Sequence, residues 1–382
     1  MDAGGRPLAP LACMDLTLWI FLGLTLLSWL GGWTVFARLR GVPPPAQPGD
    51  GVVRLSIVIP ARDEEDNLSR LLPSLRDPTF MPHEILVVDD HSSDDTAEVA
   101  RAHGATVISG RDLPEGWYGK PWACQQGAEA ATGDWLLFLD ADLVAERGGL
   151  RRLAALAASE PGSVHSVCPY HRIERAYEEF SAFFNTVMIL GMNAFTVKGA
   201  RARETGLFGQ AMLLSKASYA AVGGHHRVKA HVLENFHLSR HFREAGIACR
   251  CYLGRGTLAM RMFPGGFSDL VAGWSKGFVS GAGNTPRGAM IGISAWLSGL
   301  IMITIALTFL PLADFWQRLF IGKLYLLGVI QCLHVFRNAG NFGVLNALGF
   351  PVPLFFYQFV FFRALRRKKT GGTVRWKGRD VA

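Results

Sequence analysis

The sequence predicts an α/β fold on a mostly parallel sheet, with membrane-spanning helices at both the N- and C-terminal ends. Three observations carry this. Apolar residues make up 49% of the chain and charged residues 18%, against about 25% charged in a typical soluble domain. That apolar excess lies at the two ends. Between about Arg54 and Met262, short β-rich runs alternate with helical stretches, the pattern of a parallel sheet covered by helices.

Taken in order, the run from Leu16 to Phe36 is apolar and long enough to cross a bilayer. Asp15 precedes it and Arg38 and Arg40 follow, which puts the N-terminus outside and the following chain in the cytoplasm. A cleaved signal peptide would carry its positive charge before the run rather than after it. Pro43, Pro44, Pro45 and Pro48 then form a stiff linker. Strands are expected at Leu55 to Ile59, Glu84 to Val88, Ala105 to Ser109 and Trp135 to Leu139. Helices are expected at about Glu64 to Leu75, Asp94 to His103 and Gly119 to Ala131. Phe180 to Phe195 is strongly apolar but short for a span; it reads equally as an interfacial helix or a buried one. A helix near Phe267 to Phe278 puts Trp274 and Phe278 on one face.

After Gly288 the chain turns apolar again. Ala289 to Leu312 is a strong span, Leu319 to Phe336 a weaker one, and Phe342 to Phe362 a third, interrupted by Gly349, Pro351 and Pro353. Three crossings would carry the basic tail outside, against the positive-inside rule. One of the last two segments is therefore expected to be re-entrant or interfacial. The resulting division is an N-terminal anchor and linker over 1–50, a cytoplasmic catalytic domain over 51–288, C-terminal membrane segments over 289–363 and a basic cytoplasmic tail over 364–382. The whole predicts a multi-pass protein of the plasma membrane.

Net charge is +8. Arg363, Arg366, Arg367, Lys368 and Lys369 follow the last apolar run, a placement that favours anionic lipid over nucleic acid. No interleaved aromatic and basic stripe of the kind that reads single strands is present. The six cysteines contain no CxxC pair, so reduced thiols are expected. The absence of paired charges within the apolar segments argues against a transporter.

The expected strands end in polar clusters: Pro60-Ala61-Arg62-Asp63-Glu64-Glu65, Asp89-Asp90-His91-Ser92-Ser93-Asp94, and Asp140-Ala141-Asp142. Ligands of parallel sheets bind outside the carboxyl ends of the strands. Asp63, Glu64 and Asp94 also suit helix caps. Asp140 and Asp142 can reach one ion only where their strand breaks. Hard cations such as Mg²⁺ or Mn²⁺ take carboxylate oxygen and share it with substrate phosphates. Such an ion acts as a Lewis acid on a departing diphosphate.

The runs Ser56 to Glu65 and Val87 to Thr96, with Asp140-Ala141-Asp142, resemble the family 2 inverting glycosyltransferases of GT-A fold, over about Val53 to Gly283. The resemblance implies that Pro60, Ala61, Arg62, Glu64 and Asp90 surround the base and ribose of a nucleotide-sugar donor, with Lys120 close by. It implies that Asp140 and Asp142 hold metal and diphosphate. It places Gly209, Gln210 and His225 on the acceptor side, with Trp274 by the acceptor. Many family members read Glu-Asp where this chain has Glu234-Asn235, and the Asp is their catalytic base. Glu234 is the candidate to take its place. A carboxylate acceptor, with a pKa near 4, is already ionised at neutral pH and needs no base.

Within the family, Trp117 to Lys120, Cys168 to His171, Glu179 to Asn185, Gly191 to Asn193, Phe267 to Gly283 and Arg375 to Arg379 resemble the glycosyltransferases that esterify carotenoid acids. This implies UDP-glucose as donor and a C30 carotenoid carboxylic acid as acceptor. Another membrane lipid (sphingolipid, diacylglycerol, hopanoid or polyisoprenyl phosphate) is the competing acceptor class, and a nucleotide-sugar-binding scaffold without turnover is the competing function.

Overall fold

The computed structural model describes residues 8–45, 53–199, 202, 206–231, 233–369, 374–376 and 379–381, with side chains described for fewer of them. Pro48, Val232, Lys377 and Gly378 lie outside these residues, as do the side chains of Phe278, Arg367, Lys368 and Lys369.

A long helix, α1 (Leu8–Phe36), leads to β1 (Leu55–Ala61), α2 (Glu65–Ser74), β2 (Glu84–Asp89), α3 (Thr96–Ala102), β3 (Thr106–Ser109), α4 (Gly119–Ala130) and β4 (Trp135–Leu139). This is the predicted alternation, with boundaries moved by a residue or two. There follow β5 (Leu143–Ala145), α5 (Gly149–Ser159), β6 (Ser163–Cys168), β7 (Tyr170–His171), a 3-10 helix (Ala176–Ser181) and α6 (Ala182–Gly191). Next come β8 (Ala211–Ser215), α7 (Lys216–Ala221), α8 (Glu234–Glu244), β9 (Ala248–Leu253), β10 (Leu258–Met260) and α9 (Phe267–Asn284). The chain closes with α10 (Arg287–Ala306), α11 (Phe315–Ala339), α12 (Val344–Leu348), α13 (Pro351–Lys369) and the hairpin β11 (Val374–Trp376) and β12 (Arg379–Val381).

The main sheet runs β3-β2-β1-β4-β8-β6-β9, with only β8 antiparallel to its neighbours. Its central strands are apolar on both faces, as helix-covered strands must be. Val58, Leu136 and Phe138 join a core beneath α4, while Ile57, Ile59, Leu137 and Leu139 join another with Leu68, Leu71 and Leu72 of α2. Helix α4 sits so close that a Cβ at Gly127 would lie 2.3 Å from Val58 Cγ1. The chain steps outward from β1 to β3, then returns to β4 on the other side of β1. The carboxyl ends of β1 and β4 therefore flank a topological switch point, where such sheets bind ligands.

Among the described residues three helices are long and apolar enough to cross a membrane: Asp15–Phe36, Arg287–Phe309 and Phe315–Ala339. They pack as a bundle with close backbone approach; a Cβ at Gly299 would lie 2.7 Å from Trp29 N. Gln331, which weakens the apolar run of α11, is buried and accepts from Trp296 Nε1 at 2.9 Å while donating to the Trp29 carbonyl at 3.2 Å. The last segment, Phe342 to Phe362, does not form a single span and divides into α12 and α13. The 180–195 segment is not an interfacial helix. Phe183, Phe184, Ile189 and Leu190 of α6 are buried, and α6 is wedged among α9, α10, α11 and α13. The five cysteines with described side chains are free thiols.

Candidate active site

The crevice is built from two loops laced together. Asp63 and His91, just past β1 and β2, adopt positive φ (51° and 58°), a conformation costly for most L-residues but tolerated best by Asp, Asn and His. Cross-loop hydrogen bonds hold them there. Ser93 N donates to Asp63 Oδ1 (2.7 Å), Glu64 N to Thr96 Oγ1 (2.8 Å) and Glu65 N to Asp94 Oδ2 (3.2 Å). Asp63 and Asp94 thus spend their carboxylates on backbone. The amide of Ser93 holds the Asp63 pKa below its ordinary value. Burial pushes that of Asp94 up, but hydrogen bonds from Thr96 and Glu65 outweigh it and leave it lowered. Thr96 and Ser92 were not singled out by sequence reasoning, although their hydroxyls complete these turns; the Ser92-Ser93-Asp94-Asp95-Thr96 run itself is the signal.

With the loops fixed, the predicted residues meet at one sheet edge. Asp90 N donates to the Ala61 carbonyl at 2.8 Å, and Pro60 pairs with Val88 in register. Arg62 Nη1 lies 3.8 Å from Asp90 Oδ2 and its Nε 4.0 Å from Asp63 Oδ2. His91 adds a contact of 3.5 Å to the other Asp90 oxygen.

The strand breaks after Leu139, and Asp140 and Asp142 lie in the turn before β5. Asp140 N donates to the Gln210 carbonyl at 2.9 Å. From the first turn of α4, Lys120 Nζ reaches Asp140 Oδ1 at 2.5 Å, the Gly209 carbonyl at 3.3 Å and Glu234 Oε1 at 3.7 Å. A Cβ at Gly209 would come within 3.4 Å of Glu234 Oε1, so Gly209 and Gln210 close the side of the crevice that Glu234 faces. Burial lowers the Lys120 pKa, but Asp140 and Glu234 outweigh it and hold it above the usual lysine range. Burial raises that of Glu234, which Lys120 partly offsets.

Asp142 is pushed up to about 7 by desolvation from the protein packed around it and by the nearby Asp140 and Glu64 carboxylates, although its side chain also reaches solvent. Solvent access through the cleft mouth tempers this effect. Such crowding of carboxylates around one lysine suits a divalent cation. No group of three or more His, Cys, Asp or Glu side chains among the described residues could cage an ion alone. Asp140 and Asp142 would share it with phosphate oxygens.

Two sequence expectations are placed differently. Asn235, which stands where the family resemblance implies a base, donates its side-chain amide to the Leu207 carbonyl. His225 is buried beneath the crevice, its Nδ1 2.8 Å from Tyr219 Oη and its ring against Phe138. Burial drives its pKa down to about 3, with a smaller effect from Lys120. It therefore supports α4 as a neutral imidazole rather than lining an acceptor path. Trp274 is seated in the core, stacked on Phe184 at 5.0 Å and donating to Ser181 Oγ at 3.0 Å.

The model of glycosyl transferase family 2 matches residues 56–207. A 4,4'-diaponeurosporenoate glycosyltransferase of Staphylococcus aureus strain MRSA252 is 35% identical over 339 residues, 86% of this chain and 88% of the relative. The chain belongs to glycosyl transferase family 2. A protein of the same name from strain USA300 is 34% identical over 334 residues, with the same coverage. The mannosyltransferase PcManGT from Pyrobaculum calidifontis, solved in complex with GDP-Man and Mn²⁺, superposes with a TM-score of 0.50 at 14% identity, covering 89% of this chain and 99% of that one. The transferase accordingly has the GT-A fold and is a nucleotide-sugar-dependent glycosyltransferase.

Proposed function

We propose that the enzyme transfers glucose from UDP-glucose to the carboxylate of a long apolar acid of the carotenoid type, forming a glucosyl ester with inversion. The observation that carries the acceptor chemistry is Asn235. Where many relatives keep a carboxylate base, this chain has an amide spent on the Leu207 carbonyl, and the two Staphylococcus aureus relatives are named for a carotenoid acid.

Pro60, Ala61, Arg62, Glu64 and Asp90 would hold the nucleoside. Asp140 and Asp142 would hold Mg²⁺ or Mn²⁺, which when bound supplies charge neutralisation at the departing diphosphate. Lys120, paired with Asp140 and Glu234, lowers the repulsion that these two carboxylates, one half-buried and one buried, would exert on an incoming anionic acceptor. The acceptor oxygen forms its bond to the anomeric carbon as the bond to the diphosphate oxygen breaks, and no proton has to leave the nucleophile. Glu234 then positions Lys120 rather than acting as a base.

The same reading puts α1, α10 and α11 across the plasma membrane with the catalytic domain in the cytoplasm, on the division at residues 50, 288 and 363. Arg38, Arg40, Arg287 and Arg337 lie at one end of the bundle against Arg318, beside Asp314, at the other, a bias in keeping with the positive-inside rule.

The full chain purified in detergent, given UDP-glucose, Mn²⁺ and 4,4'-diaponeurosporenoate, is expected to form a product that mild alkali cleaves as an ester. Asp142→Ala should abolish the metal-dependent turnover. Transfer only to hydroxyl lipids such as diacylglycerol or sphingolipid would overturn the acceptor assignment, and retained turnover in Asp142→Ala would remove the metal role.

A further inference from the structure

Helix α13 has two faces of different kind. Leu354, Tyr357, Val360 and Ala364 are buried. Tyr357 lies 4.9 Å from Phe184 of α6, and Phe356 lies 4.8 Å from Phe180 and 5.5 Å from Phe267 at the start of α9. The other face carries Val352, Phe355, Phe359 and Phe362, with Phe355 74% exposed and Phe359 55%. Spacings of three and four residues put them on one stripe. Arg363 and Arg366 continue along the helix from that stripe, and both are exposed.

We propose that α13 lies flat in the membrane interface, with its phenylalanine stripe in the acyl boundary and its arginines on anionic headgroups. This rests on the reading of α1, α10 and α11 as membrane spans. Three observations favour a bilayer over a protein partner. The stripe is exposed and apolar like the outward face of the spans, where Ile305, Leu326 and Ile330 are exposed, and α13 packs against the span α10. The sequence from Phe315 to Arg379 contains no Asp or Glu, so α13 itself carries no acidic side chain to repel an anionic surface, while its basic residues are attracted to one; the exposed Asp269 on α9 is the acid of the neighbouring helix. The buried face packs on α9 and on the 3-10 helix, both of which precede the first C-terminal span, so α13 returns to the side of the bilayer that the catalytic domain occupies. An in-plane α13 removes the conflict between a third C-terminal crossing and the basic tail.

The placement couples to the crevice. Met260 of β10 pairs with Leu143, the residue after Asp142, and α9 starts seven residues beyond Met260. The membrane-facing pair α9 and α13 is thus one short connection from the carboxylates of the site.

The test uses the full chain in nanodiscs, with Cys13→Ser to remove a competing thiol and a nitroxide at Phe359→Cys or, as a control, at Ile330→Cys. Oxygen and nickel-chelate accessibility give each label's depth. The expected result is a shallow label at Phe359→Cys, just below the phosphates, and a deep one at Ile330→Cys. In phosphatidylglycerol discs, Arg363→Glu with Arg366→Glu should make the Phe359→Cys label more accessible to the nickel chelate. Pure phosphatidylcholine discs should show little effect of the same pair. A label at Phe359→Cys exposed to water, or as deep as the control, would overturn the proposal. Equal behaviour in both lipids would overturn its anionic part. A water-exposed control would instead refute the span reading beneath it.

Discussion

Asn235→Asp puts a carboxylate where the family resemblance implies a base, and the structure gives it an outcome opposite to a gain of base. The Asn235 side-chain amide donates to the Leu207 carbonyl, and both residues are buried. A carboxylate cannot donate. It leaves the carbonyl without its partner and presses an oxygen against it, next to Glu234. An unsatisfied buried acceptor costs about 1–3 kcal/mol, and the added charge takes the substitution to the upper end, about 3 kcal/mol. At ~2–4 °C per kcal/mol for a domain of a couple of hundred residues, the thermal midpoint should fall by about 6–12 °C. Turnover of a carboxylic acid acceptor should not rise, because its proton has already left. The assay pairs thermal unfolding in detergent with product formation from acid and alcohol acceptors of equal chain length. A variant as stable as the parent and faster with either acceptor would refute the argument, since Asn235 would then be a missing base rather than a clamp.

Two further perturbations test the electrostatics. Lys120→Met removes the cation shared by Asp140 and Glu234; because the Lys120 and Asp140 side chains are 25% and 27% exposed, the loss should be about 2 kcal/mol, below the ~3–5 kcal/mol of a fully buried pair. That loss is one of folding stability, read as a lower thermal midpoint; kcat/KM should fall as well, with partial recovery in Lys120→Arg, and unchanged kcat/KM in Lys120→Met would contradict the role given to the lysine. Acid should unlace the two crevice loops. Asp63 and Asp94 have depressed pKa values, so their stabilisation is complete above the unfolded carboxylate value and fades as pH falls below about 4. Hydrogen exchange at the Ser93 and Glu65 amides, which donate to Asp63 and Asp94, corrected for intrinsic rates, should then accelerate, and unchanged protection at pH 3 would count against the lacing.

The elements from β1 to β4 were legible because each strand is a short, mostly apolar or β-branched run and each helix is amphipathic or small-faced, so local pattern and global packing agree. The convergence of Asp90, Asp140 and Asp142 was legible for the same reason: parallel strands bring their carboxyl ends to one edge. What the sequence hid was direction. Trp274 and His225 are the kind of residues that line sites, yet each is turned into the core by partners far along the chain, Phe184 and Ser181 for the one and Phe138 for the other. Asn235 reads as a lost base until Leu207 is found at the end of its amide. Long-range contacts of this kind leave no period in the sequence. Hydropathy and charge already set α13 apart from the three helices apolar enough to cross a membrane, but its packing on α9 and α6 is not written in the local sequence.

The joint between the helical bundle and the crevice decides how an apolar acid could be presented. Glu179, at the end of the 3-10 helix, accepts from Gly343 N at 2.9 Å and from Asn346 Nδ2 at 2.8 Å, both in the connection between α11 and α13. Asn341 clamps Ile173 through both of its side-chain groups, and Asn185 holds His171 at 2.7 Å. These contacts surround α6, which is itself packed against α10 and α11. A polar clamp around a buried apolar helix resists tilting of the catalytic domain, because tilting would strip hydrogen bonds from Glu179 and expose Phe183 and Phe184 together. On the function proposed above, an acceptor held in the lipid leaflet would then meet a crevice at fixed height, its reach set by its own length and head group and not by movement of the domain.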